Sequence, residues 1–178
     1  MNTVHLSVST IFLILFRLSS RKETEMIRTL FTLVVITTFI SGCAMIGIWK
    51  HTHKSKALVE DAVEVLERDG SSAFDEFNEP PWRDGEHYLF VFRHDGVMLF
   101  HPVSPDLVGL NRWETQDVNG VFIIQNMINI VRTNGHGWTE YHWKNPVSGK
   151  IEPKRSYVST ATMDGTDIVV GSGYYTKE

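Results

Sequence analysis

The chain has 178 residues, 21 acidic and 17 basic side chains, a formal charge of −4 and a single cysteine. One cysteine excludes an internal disulfide, a Cys-rich zinc cluster and a CxxCH haem attachment site, and the mild acidity lacks the basic footprint of a nucleic-acid binder. A composition that is 42% hydrophobic and 21% charged is that of an ordinary folded protein, with length for one domain plus a leader.

Residues 1–49 hold two apolar stretches separated by Arg21-Lys22-Glu23-Thr24-Glu25. The first, Val8 to Leu18, is too short to span a bilayer and contains Arg17. From Met26 a new pattern begins: Arg28 as the only charge, Leu30 to Ile40 as an apolar run, then Ser41-Gly42-Cys43. That is the layout of a secretory signal, with Met26 as the expected start, residues 1–25 as a mis-called extension and 26–42 as the signal peptide. Ile40-Ser41-Gly42-Cys43 also resembles the bacterial lipobox, which implies lipid attachment at Cys43. The alternative is an uncleaved transmembrane anchor over residues 30–49, which carry no formal charge and end in Trp49. Either way the remainder is expected on the extracytoplasmic side of a bacterial envelope. The residues ahead of Cys43 include Arg17, Arg21, Lys22 and Arg28 against Glu23 and Glu25, so without them the formal charge moves from −4 to −6.

Residues 43–56 read as anchor and tether, ending in the polar, basic Lys50-His51-Thr52-His53-Lys54-Ser55-Lys56. A single domain is expected over 57–178. Leu58, Ala62 and Val65, with Val59, Val63 and Leu66 alongside, recur at helical spacing opposite Glu60, Asp61, Glu64 and Glu67, and Gly70 stops that helix. Ser72 with Asp75 suggests a capped short turn carrying Phe74 and Phe77. From Tyr88 the period switches to two. Tyr88 to Arg93 and Val97 to His101 predict a β-hairpin with Asp95-Gly96 at its turn. Asp117 and Asn119 precede a helix whose face is Val121, Ile124, Ile128 and Val131, closed by Asn134-Gly135. Three further strands follow, at Gly137 to Trp143, Lys154 to Thr162 and Asp167 to Tyr174. At least five antiparallel strands with helices set against them make an α+β layout.

Motifs for catalysis are missing from the sequence. It contains no HExxH, GxGxxG, P-loop or GxSxG, and Gly171-Ser172-Gly173 lacks the elbow spacing. Asp164 to Asp167 is too short for a calcium loop, and His51-Thr52-His53 on a flexible tether is a weak chelate. Neither an enzyme, a cofactor nor a metal is expected.

Across Tyr88 to Tyr175 the chain resembles the single Cache domain, the PAS-like extracytoplasmic sensor module of bacterial chemoreceptors and sensor kinases. The resemblance is carried by Asp95-Gly96-Val97-Met98-Leu99-Phe100-His101-Pro102, Leu107-Val108-Gly109, Asp117-Val118-Asn119-Gly120 and Gly135-His136-Gly137-Trp138. It continues through Tyr141-His142-Trp143, Pro153-Lys154-Arg155-Ser156-Tyr157-Val158 and Gly171-Ser172-Gly173-Tyr174-Tyr175. It implies a long helix over 48–68 behind a curved antiparallel sheet. It further implies a pocket on the sheet, used in relatives for short carboxylates, urea-like compounds and similar polar metabolites, and a strand tyrosine and a lysine thirteen positions on as ligand contacts. These positions are Tyr141 and Lys154.

A small anion entering a pocket loses water, so it needs a cation and donors already in place. Lys154 supplies the charge. Tyr141 and Trp143 share a strand face and offer donors on apolar bodies, and His101 ends the hairpin strand. Tyr157 is a further candidate, but strict alternation places it opposite Lys154. Taken singly, each of these residues also fits an ordinary structural role. The expected function is therefore reversible sensing of a small organic anion by a membrane-anchored domain. The alternative is a structural or interaction lipoprotein without a working pocket. Because the chain ends at Glu178, directly after the last strand, transmembrane signalling is expected to need a partner protein. Cache relatives associate through their long helices, which makes a homodimer a further expectation.

Overall fold

The computed structural model describes residues 49–176. The expectations placed on residues 1–48, Cys43 and the signal or anchor segment among them, lie outside the described residues. Among the described residues, no helix is long and apolar enough to cross a membrane.

Helix α1 occupies residues 49–69, so the basic stretch 50–56, whose composition suggests a tether, is helical. Ser55, Leu58, Val59, Ala62 and Leu66 form its buried stripe, and Glu60, Asp61, Glu64 and Glu67 stay exposed. Two 3-10 turns follow, at Gly70–Phe74 and Glu76–Asn78. Ser72 does not cap the turn; its hydroxyl donates back to the Asp69 carbonyl. The turns deliver Phe77, fully buried, against Phe74, Trp82 and Phe100.

The sheet has six strands: β1 Arg83–Asp84, β2 His87–Arg93, β3 Met98–Phe100, β4 His136–Lys144, β5 Ile151–Met163 and β6 Thr166–Tyr175. All pairings are antiparallel in the order β1-β2-β6-β5-β4, with β3 also on β2. The first and last strands to form a long pair, β2 and β6, therefore meet in the centre, and β2 is buried on both faces.

Alternation splits β2 between two cores. Leu89 and Val91 join the α1 side with Tyr157, Ala161, Ile168 and Val170. Tyr88, Phe90 and Phe92 join the other side, beneath helix α2, Ile123–Asn134. That helix buries Ile123, Ile124, Met127, Ile128 and Val131. Gly135, at φ 76°, turns the chain out of it by donating its N–H to the Val131 carbonyl, as the Asn-Gly pair predicts.

One glycine is required by a close approach. Gly173 lies opposite Ser156, and a Cβ there would sit 2.4 Å from the Arg155 carbonyl oxygen and 2.9 Å from Ser156 Cα. Backbone cannot yield as a flexible side chain can. Gly173→Ala is expected to destabilise the fold by about 1–3 kcal/mol, the cost typical of overpacking. In a thermal melt this is a fall of roughly 3–10 °C in Tm.

Candidate functional site

The cavity lies on the α2 face of the sheet and encloses, with its open mouth, about 390 Å³ of empty space. Its floor follows from register. Tyr141 on β4 pairs with Lys154 on β5, which pairs with Tyr175 on β6, so three side chains stand in a row on one face. Trp143, two residues beyond Tyr141, lines the same cavity, and His101 closes one end just past β3.

Lys154 is the centre of the site. It is 1% exposed. Its ammonium sits 3.9 Å from the centroid of the Tyr88 ring, 5.3 Å from that of Tyr175 and 5.4 Å from that of Phe90. Among the described residues it makes no hydrogen bond or ion pair, and those ring faces are its stabilising neighbours. Burial lowers its pKa to about 7, opposed only in part by the more distant Glu86 carboxylate.

The surrounding polar groups are set by hydrogen bonds. His101 Nδ1 accepts the Ser104 N–H at 3.0 Å, so in the neutral ring the proton is on Nε2. Burial, then the nearby Lys154 charge, lowers the His101 pKa to about 3, which keeps that ring neutral. Tyr141 shares a 3.0 Å hydrogen bond with Ser156, and burial pushes its phenol far above the ordinary range. Tyr175 donates to the Lys144 carbonyl at 2.8 Å, which leaves its oxygen to accept from Tyr88 at 3.4 Å.

A second cation reaches the cavity from an irregular segment. Arg112 lines the wall, and its Nε is buried without a hydrogen-bond partner among the described residues. The segment around it is tied on both sides. The Arg112 N–H donates to the Gly96 carbonyl and the Met98 N–H to the Leu110 carbonyl. Farther along, Asp117 accepts from the backbone N–H groups of Asn119, Val121 and His142, at 2.8, 2.9 and 2.9 Å. Burial would raise that carboxyl's pKa, but the donors outweigh it and hold it low. Asp117 thus locks this loop onto β4 instead of capping α2, whose N-cap is Phe122.

Tyr157 is elsewhere. It lies in the core under α1, its ring tilted against Trp138 with centroids 5.2 Å apart, because it is three positions from Lys154 and strands alternate. Four of the five nominated ligand residues, Tyr141, Trp143, Lys154 and His101, line the cavity, and Tyr157 does not. The sequence reading missed Arg112, Thr115 and Tyr88. Tyr88 was visible as a strand residue. Arg112 was an isolated basic residue in a loop without periodicity, its only signal being its place between two stretches that carry the resemblance.

Among the described residues, the lining carries two basic side chains and several neutral polar groups, and no carboxylate. The opposite wall is apolar, built from Met98, Leu107, Ile123, Ile124 and Met127.

Comparison with known proteins places this architecture. A profile of the family "Single Cache domain 2" matches residues 52–178. The chain belongs to the single Cache domain 2 family. A sensor histidine kinase, MctS, of Rhizobium johnstonii is 33% identical over 93 residues, which are 52% of this chain and 19% of the kinase. The chain thus matches only about a fifth of that relative's length. Among solved structures, a periplasmic sensor domain of a chemotaxis protein is 28% identical with a TM-score of 0.63, over 73% of this chain and 97% of that one. A methyl-accepting chemotaxis protein of Vibrio parahaemolyticus shares the fold at 21% identity and a TM-score of 0.61, over 74% and 92% of the two chains. A Cache chemosensory domain described for carboxylic acid recognition shares it at 22% identity and a TM-score of 0.59, over 77% and 98%. Cache domains are ligand-binding sensor modules of chemoreceptors and sensor kinases, and this chain carries one.

Proposed function

We propose that this Cache domain reversibly binds a short carboxylate with a small apolar tail, on the extracytoplasmic side of a bacterial envelope. The observation that carries the reading is Lys154: a cation buried on a sheet, facing a cavity, with aromatic faces as its neighbours and no acid beside it among the cavity's lining residues. A carboxylate supplies the missing counter-charge. Lys154 and Arg112 take its two oxygens, Tyr141, His101 and Trp143 add neutral donors, and Met98, Ile124 and Met127 receive the alkyl end. The similarity to a domain described for carboxylic acid recognition agrees with this choice.

The domain is held at the membrane through lipid on Cys43 or through an uncleaved anchor over residues 30–49. Its bound state passes to a partner protein or along the dimer that its long helix builds. No covalent chemistry is involved.

Titration calorimetry of the purified chain with acetate, propionate, pyruvate, lactate and urea tests the reading. Saturable binding of one or more carboxylates and none of urea is expected. Arg112→Gln should weaken that binding by about 10- to 100-fold, the worth of a charged hydrogen bond. Silence across the panel would sink the proposal and favour an interaction role. For the anchor, a Cys43→Ser variant whose mass differs from the parent's only by the sulfur-to-oxygen exchange, and whose membrane fractionation is unchanged, would rule out lipidation.

A further inference from the structure

Away from the cavity, three metal-ligating side chains from two elements converge. His51 projects from α1, Glu86 lies in the turn between β1 and β2, and His87 opens β2. Their nearest ligand atoms all lie within 4.8 Å of one another. His51 Nδ1 is 3.0 Å from His87 Nε2 and 3.4 Å from Glu86 Oε1. Two donors held by one tetrahedral zinc at about 2.0–2.1 Å stand about 3.3 Å apart, so both spacings match edges of such a tetrahedron.

The far side of the buried ring is also arranged. His87 is buried, and its Nδ1 meets Ser55 Oγ at 3.2 Å, which fixes the ring's orientation in the way outer partners of metal-bound histidines do. The rim is open: the side chain of His51 is 46% exposed and that of Glu86 24%, leaving room for ligand entry and for water as a fourth donor. The scaffold is pinned beside the cluster by Lys54 to Asp84 and by Thr52 to Tyr174.

We propose that His51, Glu86 and His87 form a binding site for a divalent transition metal of the zinc class, clamping α1 to the β1-β2 edge of the sheet. Without metal, the same atoms share the proton on His51 Nδ1 or His87 Nε2, and the cation replaces that proton. The His51-Thr52-His53 sequence is not the chelate, because residues two apart on a helix do not face each other. His53 packs on Trp49, with ring centroids 4.1 Å apart.

The test uses the full chain stripped with a chelator and titrated with Zn²⁺ alone by calorimetry, with Co²⁺ absorption as a second readout. One equivalent is expected to bind, giving the intense visible bands of tetrahedral Co²⁺. Glu86→Gln and His51→Ala, both on the rim, should each weaken binding by about tenfold or more, while His53→Ala leaves it unchanged. Should His87→Ala fail to fold, the two rim variants still decide. No saturable binding, or binding lost in His53→Ala and kept in Glu86→Gln, overturns the proposal.

Discussion

Lys154→Met is expected to abolish carboxylate binding and to stabilise the ligand-free domain in the same step. The two effects have one cause. In the empty cavity the ammonium has lost its water and gained ring faces, but no acid among the described residues that line it. Methionine fills a similar volume with a flexible apolar chain, and exchanging buried ions for apolar groups of like size is neutral or stabilising by about 1–4 kcal/mol. Tm should therefore rise by several degrees. When a carboxylate is bound, removing the lysine leaves that anion's charge unpaired in a buried site. Such truncations cost about 2–5 kcal/mol, a loss of about 30-fold to several thousand-fold in affinity. Calorimetry and a thermal melt on the same sample measure both. A variant that binds normally, or that loses binding only because it unfolds, refutes the role given to Lys154.

Carboxylate affinity should also fall with rising pH above about 7. Among the groups facing the lysine, Arg112 comes from the loop, His101 beyond β3 stays neutral down to about pH 3, and burial raises the phenols of Tyr88, Tyr141 and Tyr175. Glu86, more distant, favours the charged lysine. The Lys154 ammonium is thus the lining group that titrates near neutrality, with a pKa lowered from 10.5 to about 7. A bound carboxylate favours the ammonium, so above the ligand-free pKa binding takes up a proton. Affinity should be flat from about pH 6 to 7, where the carboxylate is ionised and the lysine charged, and drop by up to about tenfold per pH unit beyond neutrality. The stability of the ligand-free protein runs the other way. Between about 7 and 10.5 the unfolded chain holds more protons on this lysine, so its burial penalty is full below that window and fades as pH rises through it. The stability advantage of Lys154→Met should therefore be largest below pH 7 and shrink in alkali. An affinity independent of pH from 6 to 9 would remove Lys154 from the ligand's contacts.

Periodicity made most of the fold legible. The stripe from Leu58 to Leu66, the alternation after Tyr88 and the Asn134-Gly135 stop each name an element, because burial of a helix stripe or strand face leaves a repeat in the sequence. The same rule put Tyr141 and Trp143 on one face and separated Tyr157 from Lys154. Strand β1, two residues long, has no period to read. Asp117 stands where an N-cap is expected, yet it binds across to the His142 N–H on β4.

The sequence alone determined the α+β class, the family resemblance and the residues able to meet an anion, since these depend on local spacing and residue chemistry. Its length, charge and lone cysteine also excluded whole classes before any element was drawn. Tertiary structure decided what depends on partners distant in the chain: that Lys154 is buried without an acid beside it, that Arg112 joins it from a loop, and that His51 meets Glu86 and His87. Burial and convergence are properties of register and packing, and a one-dimensional pattern does not carry them.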